Sequence, residues 1–263
     1  MVLNLALTDF YLTSAVTAFL ILLVSVILSI QLFFSYRKKK SKQTLTLAAI
    51  MISLGFVWVA ICLNFILNMT GQSYVTKASD YALIIAWTPA LGLVGISYLV
   101  FSFVKPELLR PVVSVALLIT LLYLFLMYVG LPLGLIEAQD VLIVNWSGIA
   151  EELPDATGRG VLLIYSFLVI IMLIIAGLMF LFTGLRTEIP LVRTRGLLMG
   201  IGFTFFGILV PLDTIVDINI FGRFAAVILL IVVRSFIVIS LLLIYTGVTL
   251  PKALFPKLER QAS

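Results

Sequence analysis

Three ionisable side chains lie where the sequence is otherwise apolar: Asp213 and Asp217 in Pro211-Leu-Asp213-Thr-Ile-Val-Asp217, and Arg234 in Ile231-Val-Val-Arg234-Ser235. The aspartates are four apart, a spacing that puts both on one face of a helix. An acid/base pair would use such a spacing. No nucleophile, metal-ligand cluster, phosphate-binding glycine loop or cofactor motif accompanies them, so the residues point to a non-enzymatic role with no cofactor and no metal. The chain has no histidine and a single cysteine, Cys62. That composition excludes His-ligated haem, the usual His-containing zinc sites, Ser–His and Cys–His nucleophile pairs, and an intrachain disulfide.

The elements that must carry these charges are membrane spans. Hydrophobic residues make up 63% of the 263 and charged residues 11%, far from the proportions of a soluble domain. Seven apolar stretches of 20 or so residues each are long enough to cross a bilayer. They predict an all-α, polytopic membrane protein with seven transmembrane helices, at about 11–36, 44–67, 81–104, 111–130, 161–184, 197–218 and 223–248, in one domain covering 1–263. The first run is too long for a signal-peptide core and lacks a basic leader, so it reads as a retained span. Thirteen of the 17 Lys and Arg fall in alternate loops and the tail, with Lys77, Arg159 and Arg223 opposite and Arg234 inside a span. The positive-inside rule then puts the N-terminus outside and the C-terminus in the cytoplasm, in a multi-pass protein of the cell membrane. The net charge of +5 is a topology signal on this reading and not a nucleic-acid site. The expected partners are the bilayer itself, anionic lipid headgroups at the basic inner loops, and a membrane or cytoplasmic protein.

An Arg or Asp at mid-membrane costs about 2.5–3.5 kcal/mol on insertion scales, so each such residue is a functional hypothesis by default. Helices six and seven are joined by a tight turn near 219–222, which makes them antiparallel neighbours. At the helical rise Asp213 is ~10 Å and Arg234 ~20 Å from that turn, within reach of one another. Asp217 and Arg223 are placed to pair at the rim. Pro211 removes the helical donor of the Gly207 carbonyl and predicts a kink just below Asp213. Asn64, Trp87, Thr88 and Tyr165 belong at similar depth, in the outer halves of helices two, three and five. Together they outline a pocket opening outward among helices two, three, five, six and seven. The competing reading is that Asp213–Arg234 is helix glue and that the aromatics form an interfacial belt. The segment 131–160 is acidic, and Val141-Leu142-Ile143-Val144 between turn residues suits a short hairpin or lid.

Helix seven offers Arg234 where a retinal protein needs a lysine, and the receptor motifs Asp-Arg-Tyr and Asn-Pro-x-x-Tyr are missing. The spans, the loop between helices four and five, and a last helix ending Tyr245-Thr-Gly-Val-Thr-Leu-Pro251 resemble archaeal and bacterial seven-helix membrane proteins similar to the sensory region ahead of some histidine kinases. The resemblance implies a receptor-like sensor or ligand-binding protein that signals through a separate partner. An accessory or assembly subunit of a larger membrane complex, and third a small-solute transporter, are the alternatives.

Overall fold

A computed structural model describes residues 9–71, 75, 77–145, 155–216 and 221–249. Among the described residues six helices are long and apolar enough to cross a membrane, and a bent pair passes the same test when its two helices are taken together, giving six to seven. The chain is a multi-pass integral membrane protein by this measure. The order is α1 (Asp9–Lys39), α2 (Lys42–Phe56), α3 (Val59–Met69), α4 (Ala78–Ile85), α5 (Trp87–Val104), a short 3₁₀ turn (Pro106–Leu108) and α6 (Leu109–Phe125). A wide turn (Leu126–Gly130) and α7 (Ala138–Val141) lead to β1 (Leu142–Asn145) and β2 (Asp155–Gly158). Then follow α8 (Gly160–Arg186), α9 (Pro190–Ile215) and α10 (Arg223–Thr249). The strands pair antiparallel with Leu142 opposite Gly158, the hairpin expected of the 131–160 segment.

Six of the crossings close into a ring: α1 beside α2, α2 beside α5, α5 beside α8, α8 beside α9, α9 beside α10, and α10 back against α1. α6 lies outside that ring, packed mainly on α5. Only Ala116, Thr120 and Tyr123 of α6 are buried, while Leu118 is 69% exposed and so faces the lipid. Apolar residues exposed this way cost nothing in hydrocarbon, where association rests on close packing and interhelical hydrogen bonds.

Small residues supply that packing on one side of the ring. A Cβ on Gly200 of α9 would sit 2.8 Å from the Gly177 carbonyl oxygen of α8, and one on Gly202 would sit 2.9 Å from the Ser240 carbonyl of α10. The glycines at 177, 200 and 202 therefore serve contacts within this chain. Inside the ring Phe203 stacks on Phe180 and Phe206 meets the Trp58 ring edge-on, so aromatic rings fill the centre.

The second span departs from the continuous helix expected over 44–67. It bends by 51° where α2 gives way to α3, at Val57 and Trp58. Trp58 takes φ −91° and ψ 2° there, outside helical values, and its N–H donates to the Gly55 carbonyl in a tightened turn. No proline marks the place. Gly55 packs against Ser25 one turn before the break, and the Trp58 side chain at the break has a partner on another helix, described below. Pro211 lies inside α9, which runs on as helix to Ile215.

A buried ion pair tying four helices

Asp213 lies in the last turn of α9, at the end of the bundle remote from the basic connections. The antiparallel packing of α9 and α10 carries Arg234 alongside it. The Arg234 Nε donates to Asp213 Oδ1 at 2.9 Å, and the two side chains are 5% and 8% exposed. One salt bridge is insufficient for a guanidinium, which presents five N–H donors. The remainder of the site comes from α1. Arg234 Nη1 donates to the Ser14 carbonyl at 2.6 Å, to Ser14 Oγ at 3.2 Å and to Thr17 Oγ1 at 3.0 Å. Thr17 in turn donates its hydroxyl hydrogen to the Thr13 carbonyl at 2.7 Å, which leaves its oxygen lone pairs free to accept from the arginine.

The second carboxylate oxygen of Asp213 accepts from Trp58 Nε1 at 2.9 Å. This bond needs the indole to reach inward from the second span, and the 51° bend falls at that residue. The break between α2 and α3 is thus part of the site. Both oxygens of Asp213 are engaged, and the charges are held by α1, the α2–α3 junction, α9 and α10 together. Burying two charges repays their desolvation only where geometry is good and the leftover donors and acceptors are matched; here both Asp213 oxygens and the Nε and Nη1 donors of Arg234 are engaged.

The other residues singled out from the sequence are distributed elsewhere. Asn64 is buried on α3, where its Oδ1 accepts from the Val75 N–H at 3.0 Å and pins the incoming chain. The Trp87 ring lies 5.1 Å from that of Phe56. Thr88 donates to the Ile85 carbonyl at 2.8 Å, and its own carbonyl accepts from the Ser53 hydroxyl, tying α5 to α2. Tyr165 belongs to a separate cluster between α6 and α8. Its hydroxyl is 2.6 Å from Thr120 Oγ1, and its ring stacks on Tyr123 at 3.9 Å. Among the described residues no hydrogen bond joins Trp87, Thr88 or Tyr165 to the ion pair. Asp217 and the Arg223 side chain lie outside the described residues.

Among the described residues, the polar groups expected to line a pocket among helices two, three, five, six and seven make separate links between neighbouring helices. A cavity of about 440 Å³ lies between α5, α6 and α8, with Ser97 the one polar side chain on an otherwise apolar wall. The reason is geometric: α6 stands outside the ring and packs less closely than the helices within it.

Sequence reasoning missed Ser14, Thr17 and Trp58. Hydroxyls are ordinary in apolar helices, where they bond to carbonyls three or four residues back, and a tryptophan in a span reads as an anchor. The signal that was present is arithmetic. Asp213 offers too few acceptors for Arg234, so another helix bearing hydroxyls at i and i+3 must supply them. No protein-family model matches the chain, and no curated protein or solved structure is similar enough to count as a match.

Proposed function

We propose that the protein is a non-enzymatic membrane sensor or ligand-binding protein whose switch is the Asp213–Arg234 pair. The observation that carries this reading is the pair's position: one buried ionic cluster joins four helices and meets the one sharply bent span at Trp58. A ligand with its own anion or cation competes for Arg234 or Asp213 and frees Trp58. That exchange changes the bend in the second span. Two arrangements of a packed element, biased by differential ligand contacts, are what a switch requires. The ligand enters from the end of the bundle where α1 begins and α9 ends. On the distribution of Lys and Arg that end is outside, and the C-terminus is cytoplasmic. Output passes to a separate protein that docks on the basic connections between α1 and α2, α5 and α6, and α8 and α9.

A second reading is favoured by the number of helices the pair ties together. Asp213 and Arg234 bond to side chains or backbone of α1 and the α2–α3 junction as well as to one another, as helix glue in an accessory subunit would require. Native mass spectrometry of the protein extracted gently from its own membrane separates the two. The sensor reading expects a reproducible small-molecule adduct that Asp213→Asn loses. A stoichiometric protein partner with no such adduct would give the accessory reading the field.

A further inference from the structure

The space beside α6 is unrelated to the ion pair and has its own chemistry. The 440 Å³ cavity falls in the range of small-molecule sites, about 300–1,000 Å³. Its wall runs from Pro111 to Ile119 of α6, about 12 Å at the helical rise, with Leu108 of the preceding turn at one end and Leu93 of α5 and Leu168 of α8 on the facing sides. This is a groove entering the bundle from one end, too apolar to hold water well. At its mouth the chain turns from α5 into α6, and there Lys105 and Arg110 are exposed, flanking wall residues Leu108 and Pro111. Among the described residues neither cation forms a salt bridge, although Glu107 lies between them and leaves the turn with one net positive charge.

We infer that the groove holds one acyl chain of an anionic phospholipid, with the lipid phosphate held at Lys105 and Arg110. The dimensions suit a chain lying along α6, and the charge at the mouth suits the headgroup. α6 is also the helix most accessible to lipid, since three of its residues alone are buried. The seated chain replaces the packing that the peripheral helix lacks on α5 and α8. Each basic residue near an anionic headgroup contributes enough to change retention roughly five-fold.

The test is native mass spectrometry of the whole chain taken from vesicles of phosphatidylglycerol or phosphatidylcholine with matched acyl chains. Wild type is expected to retain one phosphatidylglycerol and to release phosphatidylcholine at the same activation energy. The double variant Lys105→Gln/Arg110→Gln should lower phosphatidylglycerol retention by roughly five-fold for each charge removed. Ala116→Phe, which fills the groove, should abolish it. Equal retention of the two lipids by wild type, or undiminished retention by either variant, overturns the inference. The charge variant alters only an exposed turn, so it decides the question even if Ala116→Phe does not fold.

Discussion

The two sides of the bundle solve the same problem in opposite ways. On one side α1, the α2–α3 junction, α9 and α10 converge on a pair of charges, and both carboxylate oxygens of Asp213 are matched. On the other side α5, α6 and α8 meet through apolar contact and one neutral hydroxyl pair, Thr120–Tyr165, leave a cavity between them, and bury the Tyr123 hydroxyl without a partner among the described residues. The comparison teaches where a membrane protein can tolerate slack. An unmatched charge in hydrocarbon is costly, so a buried ion pair must be complete or absent. An imperfect apolar contact is cheap, because lipid fills what protein does not.

The largest effect expected from breaking the contrast is at Asp213. Asp213→Ala leaves Arg234 buried without its counter-charge, and removal of one partner of a buried pair costs about 3–5 kcal/mol. The double variant Asp213→Leu/Arg234→Leu should recover most of that loss, since it leaves no buried charge unpaired and orphans only the neutral Trp58 N–H. Thermal unfolding in a fixed detergent measures both. Equal destabilisation by the single and double variants would show that the pair is not the coupling element between α9 and α10.

A smaller effect is expected at the bend. Trp58→Phe keeps an aromatic ring for the edge-on contact with Phe206 and deletes the N–H that reaches Asp213. A hydrogen bond to a charged group contributes about 1.5–3 kcal/mol, so the loss should lie in that range and should nearly vanish in the Asp213→Leu/Arg234→Leu background. A double-mutant cycle reads the coupling directly. Independence of the two sites would detach the bend in the second span from the ion pair.

How much of this was legible beforehand differs between the two sides for a physical reason. The spans follow from the length of apolar runs, a property each segment carries alone, and the partnership of Asp213 with Arg234 follows from a tight turn and the helical rise. Ser14 and Thr17 are more than 200 residues from Arg234, and nothing local reports that α1 closes the ring against α10. The hydrogen bond made at the bend is invisible for the same reason: the acceptor of Trp58 Nε1 is a carboxylate 155 residues away on another helix. The position of α6 outside the ring was equally hidden. Its length and hydropathy resemble those of its neighbours, although it lacks the glycines that α5 and α8 carry.

The smallest effects distinguish two tyrosines that stack on one another. Tyr165→Phe deletes the hydroxyl that meets Thr120 and should cost about 0.5–1.5 kcal/mol, the usual net value of a matched bond. Tyr123→Phe deletes a hydroxyl that is 2% exposed as a residue and unmatched among the described residues, so it should be neutral or slightly stabilising. The stacked rings remain in both variants, which confines the comparison to the two oxygens. Thermal unfolding in detergent and in phosphatidylglycerol-containing bicelles should give the same order. A cost at Tyr123 equal to that at Tyr165 would mean that its hydroxyl has an acceptor after all, a water or a lipid oxygen, and that the α6 side is as fully matched as the ionic side.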